Sequence, residues 1–291
     1  MQLFTQIQKL INRAMPKFGN NVSIVNSVYH GDLVAGSTKS HDQIPANVVS
    51  QTRPISSFTK LEVYGRFDFT FTRSDTTSLT ITGEEKFLDS VLTENKDGTL
   101  TIKNKTNKKS FQVATISITG PSLTFVRNTE MCGTAEILNI QEDTLSLNVS
   151  GYVTVEGTCK TLDLIHKGPA SVNLDKLSFE NSYIVKDGAG DMSINADNSK
   201  HIGISSYGAG EVKITGTCES MQVIHEGCGD FNSEKLISKN TTIQKEGCGE
   251  MSLHATESVA GNISGCGQIH IYGEPKSDSI ETDRYSYLNY H

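Results

Sequence analysis

The most constraining feature of this sequence is a five-residue glycine cassette that returns every 18 to 20 residues. It reads Gly188-Ala189-Gly190-Asp191-Met192, Gly208-Ala209-Gly210-Glu211-Val212, Gly227-Cys228-Gly229-Asp230-Phe231, Gly247-Cys248-Gly249-Glu250-Met251 and Gly265-Cys266-Gly267-Gln268-Ile269. Weaker copies lie upstream, at Met131–Ala135, Val149–Val153 and Gly168–Val172. Their third positions fall at 133, 151, 170, 190, 210, 229, 249 and 267, which gives spacings of 18, 19, 20, 20, 19, 20 and 18. A fixed short period means that one structural unit stacks on the next to bury a continuous core. Rungs of drifting length with Gly-x-Gly corners exclude the strict hexapeptide helix.

Between cassettes, apolar and polar residues alternate. Met192-Ser193-Ile194, Val212-Lys213-Ile214, Met251-Ser252-Leu253 and Ile269-His270-Ile271 each predict a short strand with one buried face. A second short strand precedes each cassette, as in Ser182–Val185, Met221–Ile224 and Thr241–Gln244. The predicted fold is therefore all-β, a parallel β-helix or β-solenoid with rungs of about 19 residues over 126–273. Its predicted structural corners are the paired glycines Gly188 and Gly190, Gly208 and Gly210, Gly227 and Gly229, Gly247 and Gly249, and Gly265 and Gly267. A sharp corner and a close backbone approach both favour a residue without a Cβ.

The middle cassette position holds Cys132, Ser150, Pro169, Ala189, Ala209, Cys228, Cys248 and Cys266. It is always small, which predicts a residue pointing inward at a tight corner. Cys159 and Cys218 share a second column, and all six cysteines read as small buried hydrophobes. No C-x-x-C pair occurs. The competing reading, a metal or redox ladder of Cys228, Cys248 and Cys266, is disfavoured because no His or carboxylate shares that column.

Residues 54–125 alternate as well but lack the cassette. Leu61–Tyr64, Phe67–Thr72, Leu79–Gly83, Leu100–Lys103 and Ser117–Thr119 are predicted strands, with Asp97-Gly98 as a hairpin turn. The order Ile55-Ser56-Ser57-Phe58-Thr59-Lys60-Leu61-Glu62-Val63, Phe67-Asp68-Phe69-Thr70-Phe71, Ser78–Gly83 and Asp97–Ile102, followed by Gly-rich repeats, resembles the bacterial auto-transporter adhesin head, or GIN, domain family. The resemblance spans roughly 54–272. It implies one β-helix-like fold, no catalytic residues to carry over, and proteins that are mainly secreted or envelope-attached.

The remaining segments flank this body. In residues 1–18, Leu3, Phe4, Ile7, Leu10, Ile11, Ala14 and Met15 recur at helical spacing, which predicts a short N-terminal amphipathic helix. It is expected to cap the solenoid or pack on a sister chain; insertion at a membrane surface is the weaker reading, since the helix has few basic residues and no Trp. Residues 19–53 read as leading strands and a polar linker, and 274–291 as a Tyr-rich tail that caps the last rung or contacts another subunit. The start lacks the apolar stretch of a secretory signal and the cysteines read as free thiols, so the expected location is cytoplasmic, with the surface by a non-classical route as the alternative.

The formal net charge of −7 argues against a nucleic-acid partner. Part of that charge falls into columns. Asp191, Glu211, Asp230 and Glu250 follow the cassettes, and Asp187, Glu226 and Glu246 precede them. Between them and the strand, His166, Lys186, Ser206, His225 and Lys245 form a column placed to neutralise the acids. The expected outcome is a solvated, salt-bridged face; Asp191, Glu211, Asp230 and Glu250 are the weak candidates for a divalent-cation site. No nucleophile, phosphate-loop, zincin or dinucleotide motif is present, and no cofactor is expected. The leading functional expectation is a non-enzymatic structural or interaction protein that forms homo-oligomers or presents a ladder surface to a protein or glycan. An adhesin-type binding module is second, and a carbohydrate-active enzyme third.

Overall fold

The computed structural model describes residues 48–105, 114–129 and 133–291. The predicted helix of 1–18 lies outside them, as do Cys132 and the leading strands before residue 48. The described residues form one continuous 18-stranded sheet wound into a solenoid.

Its regular part is a stack of long strands: β9 (Thr134–Val149), β10 (Tyr152–Lys167), β11 (Val172–Asp187), β12 (Met192–Gly208), β13 (Val212–Gly227), β14 (Phe231–Gly247) and β15 (Met251–Ser264). Each pairs in parallel with the next, so residues one period apart face one another: Val172 opposes Met192, Met192 opposes Val212, and Val212 opposes Phe231. Inward positions close a single core through Leu164, Ile184, Ile204 and Val223 on one wall and Leu174, Ile194 and Ile214 on another. Burying such side chains contributes roughly 1.5–3 kcal/mol each.

One expectation needs correction. Each rung is a single bent strand of 14 to 17 residues and not two short strands separated by a second turn. Pairing breaks at the cassette, and between β11 and β12 it also lapses at the bend, from Leu174 to Asn181. Away from the cassette the chain bends with left-handed residues, among them Asn139, Gly157, Asn198 and Gly216. Where neighbouring rungs bend together the ladder resumes with a shifted register, as between Ala196 and Ser199.

The N-terminal module is more mixed than the repeat. The strands are β1 (Val48–Thr52), β2 (Lys60–Tyr64), β3 (Phe67–Arg73), β4 (Ser78–Glu84), β5 (Val91–Lys96), β6 (Thr99–Asn104), β7 (Ala114–Gly120) and β8 (Phe125–Asn128), with one helical turn α1 (Glu85–Leu88). β2 and β3 stack in parallel on β6, β8, β7 and β9, continuing the solenoid. β4 runs antiparallel to β7, and β5 to β6 around the Asp97-Gly98 turn, whose residues both take positive φ as such a hairpin requires. Val48–Thr52, expected as polar linker, is instead a strand antiparallel to β4, joined partly through paired hydroxyls such as Ser50–Thr82. The tail supplies a last partial rung: β16 (Gln268–Tyr272), β17 (Ser277–Thr282) on β15, and β18 (Tyr287–Tyr290) on β16.

Candidate functional site

The cassette turns stack into one edge of the solenoid, where two glycine columns allow backbones to touch. A Cβ added at Gly188 would sit 2.0 Å from the Gly168 carbonyl oxygen, and one at Gly249 would sit 1.7 Å from that of Gly229. The first column also takes positive φ, as at Gly208 with 100° and Gly247 with 125°. Close contact operates in both columns, and positive φ throughout the first column and at Gly210 and Gly267 of the second.

The residue between the glycines does not point inward. Ala189, Ala209, Cys228, Cys248 and Cys266 are all exposed. With both flanking glycines pressed onto the previous rung, the middle side chain has only solvent to face; it is small because the turn is tight. Cys159 and Cys218, by contrast, are buried as expected, and burial pushes both thiols up to about 12.

The column expected to neutralise the acids is also placed differently. His166, Lys186, Ser206, His225 and Lys245 lie inside the edge, each no more than 2% exposed. The two lysines and two histidines bind turn carbonyls: Lys186 Nζ donates to Ala209 O at 2.6 Å and Gly188 O at 3.2 Å, and Lys245 Nζ to Gly247 O at 3.3 Å. His225 Nε2 lies 2.7 Å from Gly229 O and His166 Nε2 lies 3.2 Å from Gly151 O, which puts the proton on Nε2. Burial depresses the pKa of both histidines and both lysines. Strict alternation ends here: Ile184, Val185 and Lys186 are buried in succession as the chain enters the turn.

The four acids expected as a cation site form one straight exposed column. It runs Tyr152, Ser171, Asp191, Glu211, Asp230, Glu250, Gln268 and Tyr287, one residue per rung. Aspartate and glutamate alternate for a reason. Asp191 Oδ1 accepts the Glu211 backbone N–H at 2.8 Å, and Asp230 Oδ1 accepts that of Glu250 at 2.9 Å. The shorter acid ties its rung to the next, and the longer one reaches into solvent. Among the described residues no group of three or more His, Cys, Asp or Glu side chains is arranged to hold a metal ion.

Beside this column runs a second, also in register: Thr154, Asn173, Ser193, Lys213, Asn232, Ser252, His270 and Asn289. Together they make a broad polar face with a shallow cleft of about 350 Å³ lined by Tyr152, Asn173, Asp191, Ser193, Glu211 and Lys213. Tyr152 stands 58% exposed at its end. The cleft's two acids share one column and do not face each other across it, whereas glycoside cleavage needs carboxyls on opposite sides of the scissile bond.

A larger groove, about 730 Å³, lies along a different corner and passes Asp143, Lys160, Glu180 and Asn198. Its rim is a column that the sequence reading missed: Asp143, Lys160, Glu180, Lys200, Glu219, Lys239, Glu257 and Lys276, alternating in sign over eight rungs. Its ion pairs are close, with Lys160–Asp143 and Lys200–Glu180 at 2.6 Å and Lys276–Glu257 at 2.7 Å. The charged residues recur at near the cassette period, but it is the register of the rungs that sets them side by side. Three ion pairs along this column staple neighbouring rungs together.

Residues 57–209 and 198–275 match the family described as "Putative auto-transporter adhesin, head GIN domain". No curated protein matches the chain. Among solved structures, the chain is similar to a putative adhesin from Parabacteroides distasonis, with TM-score 0.58 and 20% identity over 84% of this chain and 97% of that one. A putative lipid binding protein from the same organism gives TM-score 0.53 at 23% identity, covering 84% and 97%. A putative adhesin from Parabacteroides merdae gives 0.53 at 16%, covering 84% and 96%. At these identities the likeness is one of fold.

Proposed function

The chain belongs to the auto-transporter adhesin head GIN domain family, and from that membership we propose that it is a non-enzymatic, adhesin-type binding module whose contact surface is the polar face carrying Tyr152. The family corrects one expectation outright. Its description points to a surface or secreted location and not to the cytoplasm. Free thiols were a poor guide to compartment: Cys159 and Cys218 sit three rungs apart, roughly 14 Å at the spacing of neighbouring strands, too far to pair in any compartment.

The observation that carries the reading is the composition of that face. An exposed tyrosine ring offers a flat apolar platform, and its neighbours Asn173, Ser193, Asp191, Glu211 and Lys213 offer donors and acceptors. That combination suits a sugar: CH groups on the ring, hydroxyls on the amide and carboxylates. Polar donors and acceptors recur at each rung beyond Tyr152, so a chain seated on the ring could continue along the face, which suits an extended glycan.

The test is an immobilised oligosaccharide panel probed with the wild-type chain, Tyr152→Ala and Asn173→Ala. The expected result is binding to a subset of glycans, weakened at least about tenfold by Y152A, in line with loss of a central aromatic contact. Glu180→Gln, in the salt-bridged groove, should bind like the wild type. No glycan bound, or Y152A binding unchanged, overturns the reading.

A further inference from the structure

We propose that Cys228, Cys248 and Cys266 form a thiol–disulfide exchange site, with Cys248 as the central attacking sulfur and the disulfide of a small thiol as its oxidant. Three observations lead there. First, the three cysteines occupy one cassette position on three consecutive rungs, as the pairing of Gly227 with Gly247 and of Glu246 with Ser264 fixes. Neighbouring rungs lie about 4.8 Å apart, inside the Cα separation a disulfide spans. Second, all three thiols are exposed, so an external disulfide can reach them. Third, Cys266 Sγ lies 2.7 Å from Cys248 Sγ, and Cys228 stands one rung away from Cys248 on the other side. Cys248 is thus the middle sulfur of the three, one rung from each of the others.

The edge beneath the thiols supports a thiolate. Lys245, on the same turn, is 2% exposed with its ammonium bound to the Gly247 carbonyl. Its positive charge acts on both Cys248 and Cys266. The Cys266 S–H hydrogen bond lowers the Cys248 thiol and, through that same donation, raises Cys266. The donation favours the thiolate at Cys248 and leaves Cys266 as the waiting partner. The thiolate is the reactive form, and exposure beside a cation marks reactive cysteines.

The chemistry balances. The Cys248 thiolate attacks one sulfur of R–S–S–R; the Cys248–S–S–R bond forms, the R–S–S–R bond breaks, and RS⁻ leaves. Cys266 loses its proton to solvent and attacks the Cys248 sulfur, expelling a second RS⁻. The chain gives up two electrons and two protons to become Cys248–Cys266 disulfide, and the reagent becomes two thiols. Cys228 remains as a third thiol on the other side of Cys248. It can attack the same sulfur, moving the bond to Cys228–Cys248 and freeing Cys266.

The experiment equilibrates full-length Cys132→Ser protein in oxidised and reduced glutathione mixtures, alkylates the free thiols, and maps them by peptide mass spectrometry. The expected result is a Cys248–Cys266 disulfide while Cys159 and Cys218 stay reduced. Cys266→Ser should move the bond to Cys228–Cys248, and Cys228→Ser should leave the Cys248–Cys266 bond intact. Cys248→Ser should lose intramolecular closure and accumulate glutathione adducts. No disulfide in the parent at the oxidising end of the series overturns the proposal, as does closure in C248S to the parent's extent. Circular dichroism of each variant separates lost chemistry from lost fold, since substitutions at exposed turn positions should leave the spectrum unchanged. Neither outcome depends on whether the Tyr152 face binds glycans.

Discussion

Lys186 reaches across a rung boundary: its ammonium donates at 2.6 Å to the carbonyl of Ala209, in the turn of the next cassette. A cation 1% exposed thereby pins two successive turns together. Lys186→Ala should lower stability by about 2–4 kcal/mol, combining a cavity with two carbonyls that lose their donor. Urea unfolding monitored by circular dichroism checks this, and an unshifted midpoint would show that the turns hold without the lysine.

The same buried column sets a pH dependence. Burial, the largest cause, holds His166 and His225 below the ordinary imidazole value of 6.5. Between the folded value and 6.5 the unfolded chain binds a proton that the folded chain refuses, so stability rises with pH through that window and levels off above it. Unfolding midpoints measured across this range should show the rise, and the His166→Gln, His225→Gln double variant should flatten it. A midpoint highest on the acid side would sink this account.

Two glycines separate contact from conformation. At Gly229 a Cβ would meet the Gly210 carbonyl at 2.3 Å, a backbone atom that cannot swing away. Gly98 has φ 73° but open space around it. Gly229→Val should lower the melting temperature sharply, whereas Gly98→Ala should cost only about 1 kcal/mol of backbone strain. Equal shifts in the two variants would contradict the close packing assigned to the cassette edge.

The alternating column predicts a charge effect with a sign. Glu180 lies between Lys160 and Lys200, and the Lys200 hydrogen bond lowers its carboxyl pKa. Glu180→Lys would place three cations in succession, so its unfolding midpoint should fall further than that of Glu180→Gln. Added salt should narrow the gap, because exposed charges are screened. A gap independent of ionic strength would mean that the ladder acts through packing and not through charge.

Cysteine reactivity should split by column. With native protein near neutral pH, iodoacetamide should label Cys228, Cys248 and Cys266 and spare Cys159 and Cys218, whose thiols burial pushes up to about 12. Denaturant should erase the difference. Native labelling of Cys159 at a comparable rate would show that the core column opens.

Much of this architecture is local and periodic, and so it could be read from the sequence by itself. The cassette spacing determined the stacking, because a residue that must lie on its predecessor has to recur once per rung. The alternation in Val212-Lys213-Ile214 determined which side chains enter the core, and Asp97-Gly98 determined a hairpin, since few other residue pairs take positive φ twice. What happens at a turn was a different matter. Whether Cys248 faces inward, and whether Lys186 meets acids or carbonyls, depends on how one turn lies on the next, which alternation does not encode across a break. The pairing of Asp143 with Lys160 and of Lys200 with Glu180 likewise exists only once rungs differing in length by a residue or two have been brought into register. Period fixed the stack. The bulges and turn heights decided which columns became core, staple, open face and thiol ladder.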